Sequence, residues 1–403
     1  MDVKRVRADF PMYGGDDPPV YLDSACQTLR PRQVIDAVVE YYEKFPVCAG
    51  RSLYRMASMV QQKCEEVRES FARFLGAKGS EEIVFTKNTT EGVNLVLFGR
   101  RWSKGDEIVC SDREHNSVLL PLQKLAERRS VKIRRVASLP DETFDVERAK
   151  EAITRNTKLV VMCHTSNVTG YTIPAREIAE IAHDAGAQFL LDGAQSVPHI
   201  GVDVGKIGAD YLSFSVHKMC GPSGVGVLYS RSALLSELQP LIYGGMSVSD
   251  TTYETSELLD PPYRFEAGLQ NYAGILGAGA ALKYVREIGL EEIQSHEHAL
   301  SRMLAERLGD ESKLKTLPPY DPDKRGGIFS FNIEGLDPHD VALRLDASFG
   351  IMTRSGYHCC HSWFHSRNIN GCARASLYFY NDAADIDAFS SAIKEIVSER
   401  EVG

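Results

Sequence analysis

The chain has 403 residues, 43% of them hydrophobic and 25% charged, with a formal net charge of −9. That length exceeds one ordinary core and calls for two units, while the negative balance argues against attraction to nucleic acid or to an anionic membrane. The opening "MDVKRVRADF" lacks the apolar stretch of a secretory signal, no apolar run spans a bilayer, and nine scattered cysteines suit free thiols, so a cytoplasmic protein is expected.

In chain order, short apolar runs alternate with helical patterns from about Glu81 to Ser230. "EEIVFT", "DEIVCS", "VKIRRVA", "KLVVMCH", "AQFLLD", "ADYLSFS" and "GVGVLYS" read as strands. Several are apolar throughout, as strands covered on both faces must be. Between them "TTEGVNLVLFG", "SVLLPLQKLAERR" and "PAREIAEIAHDAG" read as helices. The stretch 233–268 is less regular and looks like an excursion around a site or a subunit contact. Then "YAGILGAGAAL" reads as a closely packed helix. A smaller unit follows: strand "GGIFSFNI", helix "DPHDVALRLDASF", strands "GIMTRSG" and "ARASLYFY", and helix "ADIDAFSSAIKEIVSE". The fold class is α/β, a large domain with a mostly parallel sheet covered by helices on both faces plus a smaller C-terminal α/β domain. Residues 21–272 are assigned to the large domain and 273–403 to the small one, which residues 1–20 join.

In such sheets ligands lie at the carboxyl ends of strands. After the first strand, Thr89 and Thr90 open a helix, either as an ordinary cap or as a phosphate seat. His115 follows the second strand, where a capping or core histidine is the plainer account. Asn167 lies on the loop "HTSNVTG", which turn formation alone would explain. Asp192 ends a wholly apolar strand, a costly place for a carboxylate unless it meets a cation or several donors, and Gln195 follows. Lys218 comes after "ADYLSFS", flanked by Ser215 and His217. Burial lowers a lysine's pKa, and the neutral amine attacks aldehydes.

Together these residues supply a phosphate seat, a carboxylate and an imine-forming lysine, the equipment that pyridoxal 5′-phosphate needs. Lys218 would take the aldehyde, Thr90, Ser215 and His217 the phosphate, and Asp192 the ring nitrogen, which keeps the ring an electron acceptor.

The chain resembles the class V, fold-type I pyridoxal-phosphate enzymes, and within them the Suf-type (group II) cysteine desulfurases. The resemblance runs through "YLDSACQTLRP", "TKNTTEGVNLV", "REHNSVLLP", "HTSNVTG", "DGAQSVPH", "SVHKMCGPSGVGVLY", "RFEAGLQN", "RSGYHCC" and "ARASLYFYN". It implies that His115 stacks on the cofactor ring and moves protons, and that Asn167 and Gln195 contact the cofactor's oxygen side. Arg374, with Arg354 nearby, would bind the substrate carboxylate. Cys359 would be the nucleophile that takes sulfur from L-cysteine, or from L-selenocysteine its selenium, leaving alanine. The resemblance further implies a homodimer that passes sulfur to an acceptor or scaffold protein for iron–sulfur clusters or other sulfur biosynthesis.

Other readings compete. A selenocysteine lyase, an epimerase or an aminotransferase would share the fold, although the last two would not need Cys359. His358, Cys359, Cys360, His361 and His365 have the residue types of a zinc site, but adjacent cysteines rarely ligate one ion and no second C-x-x-C completes the set; no metal is expected. Departures from the pattern are Tyr357 for a histidine, Cys360 for a small residue, and Leu269–Gln270 for Thr-Pro, which removes a threonine expected to reach a neighbouring subunit's phosphate. Gly50 and Tyr54 replace histidines around a retained Arg51. Cys360 is also a candidate to receive sulfur from Cys359.

Overall fold

The computed structural model describes residues 1–16, 18–50 and 52–399; Arg51 lies outside them. The larger sheet holds β1 (Ile83–Thr86), β2 (Glu107–Ser111), β3 (Lys132–Val136), β4 (Thr157–Cys163), β5 (Gln188–Asp192), β6 (Tyr211–Ser215) and β7 (Gly226–Ser230). Their order is β1-β7-β6-β5-β4-β2-β3. Only β7 runs antiparallel to its neighbours. Period two explains why these strands are apolar throughout. Val160 and Met162 enter one core while Leu159 and Val161 enter the other, and Phe189 and Leu191 oppose Leu190 in the same way.

The helices α1 (Arg32–Lys44), α2 (Arg55–Leu75), α3 (Thr89–Gly99), α4 (Asn116–Arg129), α5 (Ala175–Asp184) and α6 (Tyr272–Ile288) cover this sheet. Buried residues of α1, α2, α5 and α6 share one core, and those of α3 and α4 the other. Small residues let α6 pack closely: a Cβ on Gly277 would lie 2.6 Å from Pro222 Cγ and 2.7 Å from Val38 Cγ2. Because Ala273, Ile275, Ala278, Ala281 and Leu282 belong to the larger core, we draw the boundary between the units after Ile288 instead of at 272.

The smaller unit contains α7 (Leu290–Leu308), α8 (Pro338–Phe349), α9 (His361–Ser366) and α10 (Ala383–Glu399). Its sheet is β8 (Leu314–Thr316), β9 (Ile328–Ile333), β10 (Arg354–Gly356) and β11 (Cys372–Ser376), antiparallel in the order β8-β9-β11-β10. The N-terminal segment docks here. Arg7 donates to Asp385 at 2.7 Å, and Phe10 packs edge-on against Tyr380.

Three local expectations change. "GIMTRSG" is two pieces, since Ile351–Met352 turns aside to pair with Val20–Tyr21. "HSWFHS", given no element from the sequence, is a helix because Trp363 and Phe364 have a core to enter. Within 233–268 lie the end of the helix Ser232–Glu237 and a hairpin of Val248–Thr251 with Ser256–Leu258.

Candidate active site

A cavity of about 230 Å³ opens where β4, β5 and β6 end and the smaller sheet's arginines face them. Its lining brings together Thr89, Thr90, His115, Asn167, Asp192, Gln195, Ser215, His217, Lys218, Arg354, Cys359 and Arg374. Every site residue expected from the sequence is therefore in one place.

Lys218 ends a 3₁₀ turn, Val216–Lys218, directly after β6. The turn is anchored on both sides: Gly221 N–H donates to Val216 C=O at 3.0 Å, and Thr28 N–H and Oγ1–H donate to His217 C=O at 3.0 and 2.9 Å. Burial pushes the Lys218 pKa down and Arg374 assists, against an opposing pull from Asp192. The amine makes no hydrogen bond or ion pair among the described residues to hold its proton. Asp192 accepts from Ala194 N–H at 3.0 Å, and burial raises its pKa.

At the start of α3 the N-cap is Asn88, not a threonine; its side chain accepts from Glu91 N–H at 3.0 Å. Thr89 N–H donates to Ser215 Oγ at 2.8 Å, and the two hydroxyls lie 2.7 Å apart. Gly226 is required beside them, because a Cβ there would stand 2.6 Å from Asn88 Cα. His115 both caps α4 and lines the cavity. Its Nδ1 accepts from Ser117 N–H at 3.1 Å, so the neutral ring carries its hydrogen on Nε2. Burial first, then Lys218 and the arginines, lower its pKa to about 3.

Arg354 and Arg374 are cross-strand partners on β10 and β11. Arg374 is 2% exposed; it donates to Asp23 at 3.1 Å and to Asn167 C=O at 2.9 Å, while its Nε has no partner. Arg354 donates to the sulfur of Cys26. Cys359 is half-buried on a loop where it and His358 both have positive φ, 59° and 45°. Asn116 N–H donates to Cys359 C=O at 2.8 Å, and Asn167 Nδ2–H to His358 C=O at 2.8 Å.

Cys360, the candidate to receive sulfur from Cys359, is held away from solvent. It is 1% exposed, and its thiol donates to Asn167 Oδ1 at 3.2 Å. The zinc alternative lacks geometry. Among the described residues no group of three or more His, Cys, Asp or Glu side chains could hold a metal, and His361 stacks on Tyr357.

Sequence reasoning missed Cys26 and Asn88 in the cavity wall and Asp23 behind Arg374, and singled out His358 only as a zinc candidate. Asp23 and Cys26 follow Val20–Tyr21, too short a strand for periodicity to reveal.

Residues 20–389 match the family Aminotransferase class-V. The chain belongs to that family. A probable cysteine desulfurase of Halalkalibacterium halodurans is 39% identical over 401 residues, 98% of each chain. The apo structure of a cysteine desulfurase from Thermococcus onnurineus NA1 matches with a TM-score of 0.94 at 38% identity, over 98% of each chain. The cysteine desulfurase CsdA of Escherichia coli, in an S-sulfonic acid form, matches at 0.91 and 30% identity over 99% of each.

The cavity of this class-V chain fits pyridoxal phosphate on its own chemistry. An unpartnered amine of lowered basicity, a buried carboxylate and a hydroxyl-lined helix start converge in it. When bound, that group supplies an electron sink for bonds broken at a substrate's α-carbon.

Proposed function

We propose that the protein is a pyridoxal-phosphate-dependent cysteine desulfurase that converts L-cysteine to L-alanine and leaves the sulfur on Cys359. The observation that carries this reading is a half-buried thiol, Cys359, in the same cavity as the unpartnered Lys218 and two arginines. A transaminase needs the lysine and arginines but no thiol in that place.

Lys218 would hold the cofactor, with Asp192 at its ring nitrogen and His115 over its ring. Thr89, Thr90, Ser215 and His217 would face its phosphate, and Asn167 and Gln195 its oxygen side. Arg354 and Arg374 would orient the substrate carboxylate by bidentate hydrogen bonds. The Lys218 amine, its basicity lowered by burial, would take and return the α-proton, and His115, with its hydrogen on Nε2, would stand over the ring where it can move protons too. Cys359 Sγ bonds to the substrate sulfur as the carbon–sulfur bond breaks. The sum is L-cysteine plus Cys359–SH giving L-alanine plus Cys359–S–SH, so atoms and electrons balance. L-selenocysteine offers the arginines the same carboxylate and is a second substrate in this reading.

The reading extends to a homodimer that hands its sulfur to an acceptor protein. Support for the dimer comes from Leu53 (95% exposed), Tyr243 (60%) and Leu269 (73%). Their segments meet, since Gly268 N–H donates to Gly245 C=O at 2.7 Å and Met246 packs on Gly50.

The test is to incubate the holoenzyme with L-cysteine and measure alanine and protein persulfide in wild type and Cys359→Ala. The variant should form no persulfide and release alanine at least about a hundredfold more slowly. Equal alanine from both proteins would rule the mechanism out.

A further inference from the structure

All nine cysteines are free, but only two are half-buried: Cys359 and Cys26. Both line the same cavity. Cys48 is exposed and the other six are buried. A thiol that exchanges sulfur must be reachable and must meet a group that tolerates negative charge on sulfur. Cys26 meets both demands, because the Arg354 guanidinium donates directly to its sulfur.

Its placement is fixed by the surrounding backbone. Cys26 N–H donates to Asp23 C=O at 3.1 Å, Ala25 N–H to Ser376 Oγ at 3.0 Å, and Gln195 Nε2–H to Ala25 C=O at 2.6 Å. The turn holding Cys26 is thus tied to β11 on one side and to the loop after β5 on the other. Two further nitrogens at the cavity wall, His358 Nδ1 and Arg374 Nε, have no partner, and both side chains are more than nine-tenths buried. His358 Nε2–H donates to Cys372 C=O at 3.1 Å, so its Nδ1 can only accept, whereas Arg374 Nε–H is a donor left without a partner.

The geometry points to Cys26 as a second sulfur carrier, which takes the outer sulfur from the Cys359 persulfide within the cavity. This rests on the desulfurase reading for the source of that sulfur. In the transfer, the Cys26 sulfur, having lost its proton, bonds to the outer sulfur of Cys359–S–SH. The bond between the two Cys359-side sulfurs breaks, and its electron pair stays on the Cys359 sulfur, which takes up the proton. One sulfur–sulfur bond replaces another, so no oxidant or reductant is consumed. Arg354, on the Cys26 sulfur, stabilises the attacking thiolate, whose charge passes to the Cys359 sulfur as transfer proceeds. Transfer regenerates the Cys359 thiol while the first sulfur is retained, so one chain can store two.

The holoenzyme is given L-cysteine without any acceptor, quenched, alkylated and mapped by peptide mass spectrometry. A parallel sample receives inorganic polysulfide, which needs no turnover. Wild type should carry the extra sulfur on both the Cys26 and Cys359 peptides, approaching two per chain. Cys26→Ser should fall to one, and Cys359→Ser should carry none on Cys26 after L-cysteine. Extra sulfur on Cys359 but none on Cys26, in wild type, overturns the relay and leaves the desulfurase reading intact. No sulfur on either thiol from L-cysteine overturns the desulfurase reading, and the polysulfide sample then decides on Cys26 separately. Sulfur reaching Cys26 undiminished in Cys359→Ser overturns the order of transfer. The wild-type map decides by itself, so the proposal does not hang on how the variants fold.

Discussion

The turn that carries Lys218 and the loop that carries Cys359 face one cavity but are built in opposite ways. Around Lys218, Val216, Met219 and Cys220 are fully buried, and the turn's hydrogen bonds run to its own strands and to Thr28. The core itself fixes the amine. Cys359 is only half-buried, although His358 and Cys360 beside it are buried; it and His358 occupy left-handed backbone, as Cys220 does near Lys218, which costs a non-glycine residue about 1–2 kcal/mol each. Its loop is held by bonds from elsewhere, Asn116 and Asn167 on the large unit. The amine needs one fixed position, whereas the thiol must accept a sulfur and then release it. A loop pinned at a few named points suits the second duty, and those points can be removed one at a time.

The largest expected effect breaks the comparison on the core side. Lys218→Ala should lower turnover by about 10³-fold or more. Because it deletes an unpartnered, desolvated amine, it should leave thermal stability of the cofactor-free protein unchanged or raised. A lower melting temperature in calorimetry would mean that the lysine helps to hold its turn together.

Acid titration separates the two regions next. His358, on the loop side, is lowered to about 2 by burial and then by Arg374, while His217, on the turn side, is lowered to about 4 by burial and then by Lys218. An unfolded histidine binds its proton near 6.5. Between those values the unfolded chain holds protons that the folded chain refuses, so stability is fully present above 6.5 and lost as pH falls. For His358 the loss is about 1.4 kcal/mol per pH unit. His358→Gln should therefore flatten the acid limb from 6.5 down to about 2, and His217→Gln only down to about 4. Identical limbs for both variants in urea titrations would refute the distinction. Asp192 and Glu114, the latter raised to about 8 by burial, tilt stability the other way. Both are common to all three proteins and cancel in the difference.

The same contrast explains what the sequence could tell. Strand ends in the centre of the large sheet were legible because period two and burial mark those strands, and a polar residue at the end must then face the cavity: Asp192 ending β5 and Lys218 soon after β6 follow that rule. "TTEGVNLVLFG" was read to the residue, although its cap was not, since Asn88 and Thr89 are both good caps and only the fold chooses. The smaller unit was harder. Ile351–Met352 leaves its own sheet to pair with a segment some 330 residues earlier, a choice that no local pattern encodes. The helix of "HSWFHS" depends on a pocket for Trp363, whose indole N–H donates to Glu142 at 2.9 Å from a distant loop. Cys359 was found through family likeness, whereas Cys26 and its guanidinium partner needed the tertiary structure.

A third change acts on the pins themselves. Asn167→Ala removes the bond to His358 C=O and the acceptor for Cys360, leaving two buried groups unpaired, at a cost of about 1–3 kcal/mol. Persulfide formation should fall more than cofactor binding, since the thiol's loop loses its tie while the Lys218 turn keeps all of its own. Equal loss of both would put Asn167 in the cofactor seat alone.

The smallest effect sharpens the comparison most. Cys360→Ala deletes only the thiol that donates to Asn167 Oδ1, a weak donor in a fully buried place. A small cavity and one lost hydrogen bond predict about 1 kcal/mol of destabilisation. Cys360→Ser keeps a donor at that point, although a hydroxyl reaches less far than a thiol. If the bond to Asn167 is what matters, the serine variant should stay closer than the alanine variant to the wild-type rate of Cys359 alkylation by iodoacetamide. A loosened loop would expose Cys359 and raise that rate in Cys360→Ala. The alkylation rate reads the loop directly, and neither variant touches the Lys218 turn. Equal rates in all three proteins would show that Asn116 N–H on Cys359 C=O holds the loop without help from Cys360.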